Sequence, residues 1–328
     1  MALILTTTMG HLNPQQIPRR VAKRVARALG YRPKPIVYDG LIEVVQSKLR
    51  AIESDPAINS RDTALHALRA LGIDDFGYVL MSMPDAQFPK LSGLLPKMAS
   101  EEVQKSWTGS SGVTLLRQTC AFVRSAAFNY TKFTGRTLGG ASILDYGCGY
   151  GRIARLMYYF VDPANLIGVD PWDRSISICK EDGLDKNFLL SSYLPTDLPV
   201  GTATFDFIYS FSVFTHLSER ATQMSLSVLA KYLKPGGLLA ITIRPVEYWP
   251  HDPSASKTGA VERQIAMHRA NGFSFLPHNR PAVDNDVTYG DTSLTTEWLA
   301  EKFPFLTIKG NDRSLDDPYQ YYVFLQHS

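Results

Sequence analysis

An α/β fold, with a doubly wound, mostly parallel sheet and a helical N-terminal extension, is predicted from three observations. Strand-like and helix-like segments alternate between residues 141 and 244. The strand-like segments are continuously apolar and rich in β-branched residues, as strands covered by helices on both faces must be. The first of them leads through "ILDYGCGYGR", Ile143 to Arg152, into a turn with glycine at every second position: Gly147, Gly149 and Gly151. Glycine weakens regular structure, so such a cluster marks a backbone that needs left-handed angles or close approach to a ligand.

Taken in order, residues 1–98 read as a mostly helical extension with Pro-containing turns. "IPRRVAKRVARALGYRPKP" sets Val21, Val25 and Leu29 on one stripe, with Arg20, Lys23, Arg24 and Arg27 around it and Pro18 and Gly30 as punctuation. "LIEVVQSKLRAIES" and "RDTALHALRALGI" follow as helices, and "MPDAQFPKLSGLLPK" as a loop. Residues 99–328 form the second domain. After a Gly-Ser turn comes a long amphipathic helix, and then the alternation begins. "SILDY", "NLIGVD", "NFLLSS", "FDFIYSFS" and "LLAITIR" are strands, while "GRIARLMYYF", "RSISICKE" and "ERATQMSLSVLAKYL" are helices. Residues 245–290 are proline-rich and polar and read as an irregular insertion; "VDNDVTYGD" at 283–291 is a loop. The helix "SLTTEWLAEKF" and the strands "FLTIKG" and "QYYVFLQ" then give the sheet edge an antiparallel finish.

Composition narrows the class. Apolar residues make up 45% and charged residues 20% of the 328, ordinary for a globular protein with a real core. The net charge is only +3, too small to call for a nucleic-acid partner. It is unevenly spread: residues 1–50 hold nine Lys or Arg against two acids. No window approaches 18 consecutive apolar residues, and "MALILTTTMG" lacks the basic leader of a signal peptide. Cys120, Cys148 and Cys179 are widely spaced and odd in number, which fits a reduced setting. The expected location is cytoplasmic, with the basic helix as a route to the inner membrane face or to a protein partner. A solvated helix face is the plainer reading of that helix. No compact His/Asp/Glu cluster calls for a metal.

In doubly wound sheets a ligand sits at the carboxyl ends of the strands. The dinucleotide fingerprint G-x-G-x-x-G opens with glycine rather than with an acid such as Asp145, and it would need glycine at position 152, which is Arg152. A carboxylate at the mouth of the turn repels pyrophosphate and suits a cation. A nucleoside carrying an amine and a sulfonium fits. Asp170, at the tip of the next strand, can accept both ribose hydroxyls. A tight turn without a ligand is the competing explanation, and acids at both strand tips weigh against it.

"ILDYGCGYGRIARL", "LIGVDPW", "FDFIYSFSVFTHL" and "YLKPGGLLAITI" together resemble the successive motifs of class I S-adenosylmethionine-dependent methyltransferases. The likeness is close over 141–244, and "SVFTHL" with the C-terminal strands is similar to bacterial enzymes that modify glycans or small molecules. The resemblance implies a seven-stranded sheet with one antiparallel strand and S-adenosyl-L-methionine as cofactor. Carried over, Gly147, Cys148, Gly149 and Gly151 would lie against the methionine part and Asp145 would orient its amine. Asp170 would hold the ribose, with Pro171 or Trp172 beside the adenine. Trp107 and Thr108, in "WTGSSG", would fold over the cofactor; a plain helix N-cap at Ser110 or Ser111 is the alternative. The third strand ends in Ser191 and Ser192 where the family has an acid, so Ser192 stands in for it, and Ser210 completes the cofactor set.

For a hydroxyl acceptor the enzyme must align it with the methyl and remove a proton. His216, just past the fourth strand, is the candidate base, because imidazole titrates near working pH; a helix-capping histidine is the competing reading. Arg244, Tyr248, Trp249, His251 and Tyr289, in and beside the 245–290 insertion, are the candidate acceptor pocket, with Phe273 and Phe275 also available. The expected partner is a small-molecule or glycan hydroxyl. An RNA methyltransferase using the basic N-terminus, and a non-catalytic scaffold that keeps the fold, are the alternatives.

Overall fold

The computed structural model describes residues 41–184 and 186–327, with side chains from Glu43 onward. The basic helix expected at 19–27 lies outside the described residues. Helices α1 (Leu41–Ser54), α2 (Arg61–Leu68), α3 (Ile73–Ser82), α4 (Pro89–Leu94), α5 (Glu101–Thr108) and α6 (Gly112–Thr134) precede the sheet. The alternating part runs β1 (Ile143–Tyr146), α7 (Arg152–Met157), β2 (Leu166–Asp170), α8 (Asp173–Glu181), β3 (Phe188–Leu190), β4 (Phe205–Ser210), α9 (Glu219–Tyr232) and β5 (Leu233–Ile243). A 3₁₀ turn at Val246–His251 leads to α10 (Pro253–Thr258), α11 (Val261–Asn271), β6 (Phe273–Pro277) and β7 (Gly290–Leu294). The chain closes with α12 (Thr296–Lys302), β8 (Leu306–Arg313) and β9 (Tyr321–His327).

Seven strands form one sheet in the order β3-β2-β1-β4-β5-β9-β8. The first five pair in parallel, and β9 runs antiparallel to both β5 and β8. This is the predicted sheet, with its single reversed strand. The order reverses between β1 and β4, which opens a crevice beyond their carboxyl ends.

Period-two alternation sends successive strand residues to opposite faces. Ile143, Phe207, Tyr209, Ala240, Tyr322 and Phe324 enter one core with α1–α4, α6 and α7. Leu144, Ile208, Leu239, Ile241, Val323 and Leu325 enter the other, with α9 and α12. Leu49, Leu65, Phe76 and Leu91 of the first four helices are fully buried in the same core as the sheet. Cys120, Cys148 and Cys179 are buried free thiols, and no helix among the described residues is long and apolar enough to cross a membrane.

Two expectations are corrected. Residues 89–94, expected as loop, form α4, opened by Pro89 in its first turn and anchored by Leu91. The insertion at 245–290, expected to be irregular, holds the 3₁₀ turn, two helices and the β6 strand, which pairs with β7 in a hairpin, and has a small core of Trp249, Ala255, Ala260 and Leu276. Its helices end at Gly259 and Gly272, both left-handed. They are too short, and pack on too small a core, to show a clear helical period. The longest stretch of it without helix or paired strand, isolated bridges aside, is 278–289, with the turn at Asp284 and Asn285.

Candidate functional site

The glycine turn is explained by crowding and backbone angle together. Gly147 has φ +75°, and a Cβ there would lie 2.3 Å from Val213 Cγ2. Gly151 has φ +74°, and its Cβ would lie 2.2 Å from Leu184 Cδ1. Both positions admit only glycine without local rearrangement. The turn leads past a cavity of about 810 Å³ at the carboxyl edge of the sheet.

One half of this cavity is built from the tips of β1 and β2. Asp145, Gly147, Cys148, Gly149, Asp170 and Pro171 line it. Asp170 is held at both oxygens: Gly149 N–H donates to Oδ2 at 2.9 Å and Trp172 N–H to Oδ1 at 2.9 Å. Burial raises its pKa and these amides oppose that. The carboxylate is therefore fixed in place, with lone pairs left for a ligand. Asp145 is different. It is 3% exposed and its Oδ2 has no hydrogen-bond partner. Burial pushes its carboxyl up to about 7, against a smaller opposing effect of the Tyr209 hydroxyl. A buried carboxylate oxygen without a partner costs free energy that a cationic ligand would remove.

Trp172 is stacked on Trp107, ring centroids 4.5 Å apart, and both line the cavity with Thr108 and Ser192. The Thr108 hydroxyl donates to the Gln104 carbonyl at 2.7 Å. Ser111 stands at the N-cap of α6, but its hydroxyl makes no capping bond; Gln104 Oε1 instead accepts from Gly112 N–H at 3.0 Å.

The other half holds His216, Arg244, Tyr248 and Tyr289. Their charges are already matched. Arg244 donates to Asp291 Oδ1 at 2.7 Å and to the Thr215 carbonyl at 3.0 Å, and its guanidinium lies 3.9 Å from the Tyr248 ring centroid. Asp291 also accepts from His278 Nε2 at 2.7 Å. Burial alone would raise its pKa, but His278 and Arg244 hold it below the usual carboxylate range. The His216 ring stacks flat on Tyr289, 5.0 Å apart. Its Nδ1 is 2.7 Å from the Gly290 carbonyl, and its Nε2 is 3.3 Å from Arg244 Nη2. Since Arg244 can only donate, Nε2 accepts and Nδ1 carries the proton. Burial and the Arg244 charge lower the His216 pKa to about 3. His216 thus lines the cavity with its one lone pair engaged by Arg244 and its basicity lowered.

Four other predicted site residues are not on the cavity wall. Gly151 packs against Leu184 and Phe188 behind the turn. Ser210 is fully buried beneath the tip of β4. Trp249 is fully buried in the insertion's own core, where its Nε1 donates to Ser293 Oγ at 2.7 Å. Exposed His251 stands behind the wall, its Nε2 hydrogen-bonded with Tyr319 Oη at 2.6 Å. Ser210 and Trp249 each sit next to a lining residue in sequence, Phe211 and Tyr248, but strand and 3₁₀ geometry turn their side chains away.

Sequence reading missed Gln118, Arg152, Asp317, Tyr319 and Gln320, which also line the cavity. Arg152 stood in plain view, as the residue that breaks the dinucleotide fingerprint. Asp317, Tyr319 and Gln320 come from the β8–β9 connection, far along the chain, and no motif marks them. Asp317 Oδ2 accepts from Gln118 Nε2 at 2.6 Å, and burial raises its pKa. Among the described residues, no three His, Cys, Asp or Glu side chains gather as a metal site.

Residues 143–237 match a family model described as a methyltransferase domain. The chain is similar to an uncharacterized protein of Rickettsia prowazekii (strain Madrid E), 32% identical over 113 residues, 33% of this chain and 45% of that one. It thus spans less than half of that relative's length. It is also similar to an uncharacterized methyltransferase of Schizosaccharomyces pombe (strain 972 / ATCC 24843), 26% identical over 219 residues, 57% of this chain and 73% of the relative. Among solved structures, it is similar to the plantazolicin methyltransferase in complex with SAH, at 15% identity and TM-score 0.44, covering 87% of this chain and 99% of the other. The magnesium protoporphyrin IX methyltransferase of Synechocystis PCC 6803 aligns at 14% identity and TM-score 0.46, over 69% and 94% of the two chains.

Proposed function

We propose that this protein, whose residues 143–237 match a methyltransferase domain, is of the class I, S-adenosylmethionine-dependent kind and transfers a methyl group from S-adenosylmethionine to a hydroxyl of a small molecule or glycan. The observation that carries the cofactor reading is the pair of strand-tip acids. Asp170 is held by two amides at the rim, and Asp145 is buried with an oxygen unpartnered. A ribose diol suits the first and an ammonium group the second. The fit extends to Pro171 and Trp172, which offer a flat apolar wall for a purine.

When bound, the cofactor supplies an electrophilic methyl group on a sulfonium. The protein's own work is to hold, exclude water and accept a proton. Gly147 and Gly149 let the backbone close on the ligand. Tyr248, Tyr289 and Tyr319 supply flat faces on the acceptor side that suit sugar rings and planar acceptors. The network of Arg244, Asp291, His278 and His216 stiffens that wall. Asp317 is the proton acceptor: it lines the cavity, carries no ion pair among the described residues, and burial raises its basicity.

Calorimetry with S-adenosylhomocysteine tests the cofactor reading. Saturable binding is expected, weakened at least ~10-fold by Asp170→Ala, in line with the loss of charge-assisted hydrogen bonds. No binding by folded protein overturns it. Methyl-labelled S-adenosylmethionine, incubated with fractionated cell extract, then tests the acceptor. Label is expected in a glycan or small-metabolite pool, abolished by Asp317→Asn and only reduced by His216→Gln. Label in RNA, or loss with His216→Gln alone, refutes this assignment.

A further inference from the structure

The connection from β8 to β9 ends in Asp317-Pro318-Tyr319-Gln320, and aspartate followed by proline favours a tight turn. The turn forms: Gln320 N–H donates to the Asp317 carbonyl at 3.2 Å. Asp317, Tyr319 and Gln320 all line the cavity. Gln320 is 7% exposed, and its Nε2 donates to Ser212 Oγ at 3.1 Å. Among the described residues no donor reaches its buried Oε1. A buried amide oxygen left unpaired costs free energy that a ligand hydroxyl would remove.

The amide is also held in one orientation. Its anchor, Ser212, lines the cavity just past β4 with φ +61°, a left-handed angle that a non-glycine residue keeps only when its surroundings impose it. Here they do. Ser212 N–H donates to Thr242 Oγ1 at 2.7 Å, and Ser212 Oγ lies 3.4 Å from Thr215 Oγ1. Thr242 and Thr215 are both fully buried. None of these groups belongs to the closed network around Arg244.

We propose that Gln320 receives a second hydroxyl of the acceptor, on the carbon beside the one that is methylated, so that the substrate class is a 1,2-diol. This rests on the proposed hydroxyl methylation with Asp317 as proton acceptor, and it names the substrate class. The two ends of a β-turn lie within about 7 Å, so Asp317 and Gln320 can meet oxygens on neighbouring carbons. The first acceptor oxygen bonds to the methyl carbon as the methyl–sulfur bond breaks, with the electron pair left on sulfur. That hydroxyl's proton goes to Asp317. The second hydroxyl keeps its proton and donates to Gln320 Oε1. A site built to pair a substrate hydroxyl rejects analogues that lack it, because its own buried group then stays unpaired. Ser212 is the positioning residue.

The test uses the full chain, isotope-labelled S-adenosylmethionine and the extract fraction that takes up label. The labelled product is isolated and the carbon bearing its methoxy group is located by NMR. A free hydroxyl is expected on an adjacent carbon. A methoxy group without such a neighbour overturns the proposal and leaves hydroxyl methylation standing; no label in any glycan or small-metabolite pool overturns both. Gln320→Met should raise the half-saturating amount of that fraction about 3- to 10-fold, as for one lost hydrogen bond, and lower the maximal rate much less. Ser212→Ala should give a smaller rise in the same direction. Neither change should alter S-adenosylhomocysteine affinity in calorimetry. An unchanged half-saturating amount in Gln320→Met, or a matching loss of cofactor affinity, also overturns the proposal. The identity of the wild-type product decides even where Gln320→Met does not fold.

Discussion

The two halves of the cavity differ in how their charges are settled. In the half at the tips of β1 and β2, Asp145 has an unpartnered oxygen and Arg152 has only neutral acceptors. In the half facing the insertion, Arg244, Asp291, His278 and His216 already satisfy one another. A buried polar group left unpaired is waiting for something, whereas a closed network is scaffold. The contrast assigns ligand charge recognition to the first half and shape to the second, where aromatic faces do the selecting.

The largest effect that would sharpen this contrast is the loss of Asp291. Asp291→Leu leaves Arg244 buried without its carboxylate, and stability should fall by about 3–5 kcal/mol in denaturant unfolding. Asp145→Leu, by contrast, removes an unpaired acid and should leave the ligand-free protein as stable or more so. Equal losses from both changes would break the distinction between closed and open halves.

Next in size is a pH effect confined to the open half. The Asp145 carboxyl sits at about 7 in the folded protein against 3.8 as its ordinary value. Between those pH values the folded state binds more protons than the unfolded one, so ligand-free stability should fall as pH rises from about 4 to about 7. Ligand binding should run the other way. The ionised carboxylate pairs with an ammonium, so S-adenosylhomocysteine affinity should rise through pH 7, and Asp145→Asn should flatten both trends. Titration calorimetry across this range reads the slope; an unchanged slope in the variant would remove Asp145 from the ligand.

The smallest effect belongs to a residue beside the cavity and not in it. Trp249→Phe deletes the bond to Ser293 Oγ and should cost about 1 kcal/mol of stability. It should not change affinity for S-adenosylhomocysteine. A loss of affinity would show that the insertion's small core and the cofactor half are coupled after all.

The parts of this site that could be read from the chain share one property: their function follows from local backbone. Gly147 and Gly151 must be glycine because of turn angle and crowding, and Asp145 and Asp170 fall at strand tips because apolar runs end there. Strand alternation and order of motifs were enough for the sheet, including the reversed final strand. What the chain hid was direction. Trp249 and Tyr248 are neighbours, yet one is buried in a separate small core and the other lies over Arg244. His216 was read by its type, and its type was right for a base; three-dimensional packing then placed Gly290 on one nitrogen and Arg244 on the other. Asp317 reaches the cavity only because β8 and β9 pair at the far edge and their connection folds back toward α6. Local sequence thus determined the doubly wound sheet and the strand-tip acids, since backbone geometry and apolar periodicity act over a few residues. Tertiary structure alone decided which polar groups were paired and which were left open, because hydrogen-bond satisfaction is settled between segments that meet only in the folded chain.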